Sequence, residues 1–187
     1  MLLLTALALA APAPTADEAA KLALGEVVIR AVSASTDAAI AVVGFVDVPA
    51  TRDAVWTILL DFPGRRPTNP SITRIEEYLP RTAVDQWWLF TIQKFGTTVT
   101  YHNHYTVDAS GGVLDHALDP TRTNDLAKNT GTYTLGACAS SAPPCTRLTW
   151  EVETDFGRSI PGFVKNWLGR AAVEGFLADL ATRAAKR

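Results

Sequence analysis

The chain has 187 residues, 48% apolar and 19% charged, a composition that fits one ordinary globular domain and excludes a disordered chain. Seventeen Lys and Arg against nineteen Asp and Glu give a formal charge of -2 with no basic run, so the cationic footprint of a nucleic-acid binder is missing. Two cysteines exclude a disulfide scaffold and a four-thiolate zinc site, leaving room for one bridge.

Residues 1–16 begin with the apolar run Met1 to Ala10 and continue in small residues and prolines, the pattern of a signal peptide's apolar segment and cleavage site. Ala8-Leu9-Ala10 supplies the small-x-small step that signal peptidase needs, although no Lys or Arg precedes Lys21. The alternative is a non-functional apolar tail. The run is too short to span a bilayer, and no cysteine follows it to carry a lipid anchor. A periplasmic or secreted protein is expected, with residues 17–38 as an N-terminal extension and 39–187 as the folded domain.

Residues 39–48 are continuously apolar and rich in β-branched side chains, which reads as a buried strand stopped by Asp47-Val48-Pro49. A helix follows: Thr51 is the N-cap candidate, Asp53 lies in the first turn, and Val55, Trp56, Leu59 and Leu60 make an apolar face. Residues 65–71 hold two prolines and support only a short, broken helix. Strands are predicted at 72–79, 85–94, 97–108, 113–118, 128–137 and 146–156, separated by turn signals such as Phe95-Gly96, Ser110-Gly111-Gly112 and Asp119-Pro120. Leu148, Trp150 and Val152 alternate with Thr149, Glu151 and Glu153, as in an antiparallel sheet with one wet face. After Ile160-Pro161-Gly162, residues 163–185 form a long, alanine- and leucine-rich helix without interior proline. Cys138 and Cys145 bracket one hairpin loop, where an oxidising compartment would let them pair. Two free thiols are the alternative.

This is an α+β arrangement: seven antiparallel strands in a curved sheet, two short helices after the first strand, and a long C-terminal helix across the concave face. That order, with Val46-Asp-Val-Pro-Ala50, Ala54-Val-Trp56, Leu60-Asp-Phe62, Asn69-Pro-Ser-Ile72 and Ser159-Ile-Pro-Gly162, resembles the START-like (SRPBCC) superfamily of polyketide cyclases and lipid-transfer proteins. The resemblance spans residues 40–187 and implies a helix-grip fold with a deep cavity between sheet and helix, holding a lipid, sterol, quinone or polyketide. Many relatives carry an aromatic residue just before Asn-Pro-Ser, where this chain has Thr68.

On a wheel of 100° per residue, Ile160, Phe163, Val164, Trp167, Ala171, Gly175 and Ala178 form one stripe, placed against the sheet; its small residues serve either ligand volume or close packing. Glu174 lies near the stripe, as a partner for a ligand's polar head or as a rim residue. In strand 97–108, Val99, Tyr101, Asn103, Tyr105 and Val107 form the apolar face, which places two tyrosine hydroxyls and one amide inside the pocket. His102 and His104 then point to solvent. Reversed parity would make them a general base or metal ligands, with His116 or a carboxylate as third ligand. The candidate cavity residues are thus Tyr101, Asn103, Tyr105, Tyr133, Leu148, Trp150, Val152, Phe163, Trp167, Ala171 and Glu174. Trp87, Trp88 and Phe90 add to the aromatic load.

No nucleophile elbow, phosphate loop, His-Glu-x-x-His or dinucleotide fingerprint occurs, so no catalytic residue, metal site or cofactor is assigned. The expected function is binding, with or without transport, of a hydrophobic small molecule, with transient membrane contact allowed and oligomeric state open. The alternative is an aromatase/cyclase- or dehydratase-like enzyme using tyrosine hydroxyls and a histidine or carboxylate. A third class is an interaction module using the outer sheet face.

Overall fold

A ten-residue strand that is apolar on both parities needs cover on both faces. Strand β2 (Ala39–Val48) has it. In the computed structural model, which describes residues 13–94, 96–138, 144–157 and 167–186, Val42 and Val46 face the main core, while Val43 and Phe45 pack on the other side against Leu22 and Val28. Leu22 belongs to helix α1 (Ala16–Ala23), capped by Thr15 in a reciprocal capping box with Glu18. Val28 opens strand β1 (Val28–Val32), which pairs antiparallel with β2.

The sheet therefore has eight strands, one more than expected. Strands β3 (Ile72–Leu79), β4 (Asp85–Lys94), β5 (Thr97–Asp108), β6 (Val113–Leu118), β7 (Lys128–Ala137) and β8 (Thr146–Asp155) follow the predicted order. All neighbours are antiparallel in the order β1-β2-β8-β7-β6-β5-β4-β3. The additional strand is β1, whose five residues, Val-Ile-Arg-Ala-Val, carry too little alternation to separate from a loop. Its Arg30 forms an ion pair with Glu18 of α1.

Helix α2 (Arg52–Leu59) starts at Thr51, whose hydroxyl accepts from the Ala54 amide. It buries Val55, Ile58 and Leu59. A 3-10 turn (Pro63–Arg65) follows, and Phe62 just before it is fully buried, stacked on Trp88 at 4.9 Å. At the C-terminal end a π-helical turn (Trp167–Ala171) runs into helix α3 (Ala172–Ala184), which packs on β2 and α2. Close approach is possible because β2 carries Gly44: a Cβ there would lie 2.6 Å from Leu177 Cδ1 and 2.8 Å from Val173 Cγ1.

The buried face of α3 is Val173, Leu177, Leu180 and Ala184. The predicted stripe is corrected here: Ala171, Gly175 and Ala178 are exposed, as is Glu174, and Ile160, Phe163 and Val164 lie outside the described residues. The physical reason is apolar area: Val173, Leu177 and Leu180 offer far more of it than Ala171, Gly175 and Ala178, and the larger side chains take the face turned to the core.

Cys138 and Cys145 form a disulfide with a Cα–Cα distance of 5.8 Å, closing the β7–β8 connection. Next to it, Arg147 donates two hydrogen bonds to the buried Asp47 carboxylate, at 2.6 and 2.8 Å.

Candidate ligand cavity

Register decides what faces inward. The pairs Tyr105 with His116, His116 with Gly131, Gly131 with Val152 and Val152 with Val42 run across five strands on the side that α3 covers. One residue of slip would turn the whole set to solvent. Beneath the helix lies a cavity of about 130 Å³, lined by the inward side chains of β2, β4, β5, β6, β7 and β8 together with Arg65, Gly169, Ala172, Val173 and Phe176. A dry cavity of about 150 Å³ admits a benzene-sized molecule, so this space is the size of one ring. A second space of about 220 Å³, between α3 and residues 68–72, shares Arg65, Asn69, Ile72, Ala172 and Phe176 with it.

Of the sequence-predicted residues, Tyr101, Asn103, Tyr105, Tyr133, Trp150 and Val152 come together on the cavity wall. Tyr133 stacks on Trp150 at 4.8 Å, and Phe90 on Tyr101 at 5.4 Å. Leu148 does not reach the cavity: it is fully buried in the core, opposite Val46 and Leu135. Ala171 lines the outer space instead, and Glu174 stands on the solvent side of α3. Phe163 lies outside the described residues, and Trp167 begins the π turn. His102 and His104 are on the opposite sheet face, where His104 stacks on Trp87 at 5.0 Å and bonds Asp85 at 2.7 Å.

A chain of hydrogen bonds fixes the polar wall. The Thr154 hydroxyl donates to Asn129 Oδ1 (2.9 Å), the Asn129 amide donates to Asn103 Oδ1 (3.2 Å), and the Asn103 amide donates to the Tyr105 hydroxyl (3.3 Å). Two further residues stand here, of which sequence reasoning named His116 only as a third metal ligand under reversed parity and gave Arg65 no role. His116 is buried with Nε2 accepting from the Trp150 indole at 3.4 Å, and burial, assisted by the Arg65 charge, pushes its pKa down to about 3. Its parity with Leu114 in β6 was the signal that could have found it. Arg65, only 6% exposed, places its guanidinium 4.1 Å from the Phe62 ring and 4.7 Å from the Phe176 ring, and donates to the Leu59 carbonyl at 2.7 Å. No periodicity marks it, because it sits in an irregular turn between prolines.

Burial raises the Tyr101, Tyr105 and Tyr133 hydroxyls above the ordinary phenol range, against an opposing pull from Arg65. The tyrosines and His116 are thus neutral at physiological pH, and none of the described residues lining the cavity is Asp or Glu. Among the described residues, the one group of His, Cys, Asp or Glu close enough to share a metal ion is Asp47, Cys138 and Cys145, and its two sulfurs are bonded to each other. No described helix is long and apolar enough to cross a membrane.

No protein-family model matches the chain, and no curated protein matches it. Solved structures do. The STAR-related lipid transfer protein of Xanthomonas axonopodis superposes with a TM-score of 0.70 at 17% identity, over 84% of this chain and 93% of that one. The Zhui aromatase/cyclase of Streptomyces sp. R1128 gives 0.60 at 19% identity, over 79% and 93%. A START superfamily protein of Mycobacterium smegmatis gives 0.61 at 16% identity, over 78% and 97%. With one antiparallel sheet, a C-terminal helix gripped on its concave side and these likenesses, the chain has the helix-grip fold of the START-like (SRPBCC) proteins.

Proposed function

We propose that the protein binds, and carries, a hydrophobic small molecule between the sheet and α3. The observation that carries this reading is the aromatic-walled cavity beneath α3 with one fixed polar row, the design of a small-molecule site. Its volume of about 130 Å³ is below the several hundred Å³ of a complete lipid site. A ring or chain end therefore occupies this cavity, while the rest of the ligand lies in the space between α3 and residues 68–72. The Cys138–Cys145 bridge supports a location in an oxidising compartment, periplasmic or secreted. Native mass spectrometry and solvent extraction of protein purified from its host test the binding: an apolar molecule released in near-stoichiometric amount is expected. Protein that arrives empty and binds neither fatty acids, sterols nor quinones would overturn it.

One observation favours a second reading, an aromatase/cyclase- or dehydratase-like enzyme: His116, Tyr105 and Arg65 face one cavity. A neutral imidazole can accept a proton and a phenol can donate one. Turnover of a poly-β-keto substrate, lost on His116→Gln and on Tyr105→Phe, would establish it; turnover unchanged in both would remove these residues as catalysts.

A further inference from the structure

A buried cation without an anion is costly, because no nearby opposite charge replaces the water it has lost. Arg65 is in that position. It forms no ion pair with any described acid, and its Nε–H has no hydrogen-bond partner. The nearby acids are already engaged: Asp61 and Asp179 both pair with Arg183, Asp179 at 3.6 Å. What surrounds the guanidinium is neutral: the Leu59 carbonyl, the hydrogen-bonded hydroxyls of Tyr105 and Tyr133, two aromatic faces and the cavity, none of which balances its charge.

We infer that Arg65 is the anchor for a carboxylate on the hydrophobic ligand. Resting on the binding function proposed above, this inference names the ligand's chemical class, an amphiphile bearing one carboxylate. A planar carboxylate matches the guanidinium fork and balances its single charge, whereas a phosphate dianion would leave excess negative charge in an aromatic enclosure. Arg65 borders both the inner cavity and the outer space, so the head sits at their junction. The apolar body then follows the ring-sized cavity if it is aromatic, and the outer space if it is a chain.

The test compares head groups on the unmodified full chain: dodecanoate, methyl dodecanoate and dodecanol, with 1-naphthoate and methyl 1-naphthoate as the aromatic arm. A charge-assisted hydrogen bond predicts that the acid of at least one arm binds about 10- to 100-fold more tightly than its ester. The arm that shows the preference identifies a chain or an aromatic acid. Carboxyl-labelled acid, bound and followed by carbon NMR, is expected to stay ionised to lower pH than free acid. In Arg65→Gln the acid preference is expected to vanish while the ester still binds; Arg65→Lys is expected to retain part of it. Should the variants not fold, the acid-to-ester ratio and the NMR titration on the unmodified protein decide. Equal affinity for acid, ester and alcohol would overturn the carboxylate anchor and leave hydrophobic binding standing, while no binding by any probe would overturn both.

Discussion

Gly131 lies directly beneath the imidazole of His116: a Cβ at Gly131 would sit 2.6 Å from His116 Nε2 and 2.3 Å from the Glu151 carbonyl oxygen. The two residues are cross-strand partners in β6 and β7. Only the absent side chain lets the ring come this close to the β7 backbone. Gly131→Ala must therefore move either the backbone of β8 or the ring, and a loss of about 1–3 kcal/mol in urea unfolding is expected, with shifted His116 imidazole resonances. Unchanged stability and resonances would show that the contact is slack.

His116 also sets how stability responds to acid. Its folded pKa of about 3 lies below the usual histidine value near 6.5, so between these limits the unfolded chain binds more protons than the folded one. Stability then rises with pH across the window and falls on acidification. Taking pH 8 down to pH 5 is expected to remove about 2 kcal/mol through this residue alone. His116→Gln should flatten that segment in denaturant titrations at each pH. Glu18 and Glu153, held near a pKa of about 2 first by their bonds to Arg30 and Lys128, lose their contributions only below about pH 4.5.

Asp47 and Arg147 form a buried, two-pronged ion pair, with Asp47 in β2 and Arg147 in β8. Removing one partner leaves the other charge stranded, so Asp47→Ala is expected to cost about 3–5 kcal/mol. The double replacement Asp47→Leu with Arg147→Met is expected to recover most of that loss. Unfolding free energies from denaturant titrations of the wild type, Asp47→Leu, Arg147→Met and the double variant, arranged as a double-mutant cycle, check it, with Asp47→Ala measured beside them.

The Cys138–Cys145 bridge closes a short loop, seven positions apart in sequence, and so restrains the unfolded chain only modestly. Reduction is expected to lower stability by about 2 kcal/mol or less and to leave ligand affinity unchanged, because the bridge lies away from the cavity lining. Alkylation with mass measurement on protein purified from its host gives the redox state, and thermal unfolding with and without reductant gives the cost.

What the sequence determined by itself was local and periodic. The alternation of Leu148, Trp150 and Val152, the continuous apolar run of β2, the Thr51 cap and the turn glycines set strand parity and element order, because two-residue periodicity and capping act within a few residues. The same parity placed Tyr101, Asn103 and Tyr105 on the inward face. Tertiary structure alone decided the rest. β1 becomes a strand only by pairing with β2, and which face of α3 is buried is decided by its packing against β2 and α2. Arg65 becomes a cavity residue only because an irregular turn folds it between Phe62 and Phe176. Its charge, isolated from every described acid, is a property of the assembled fold: loss of water and distance to a carboxylate are set by residues far apart in the chain.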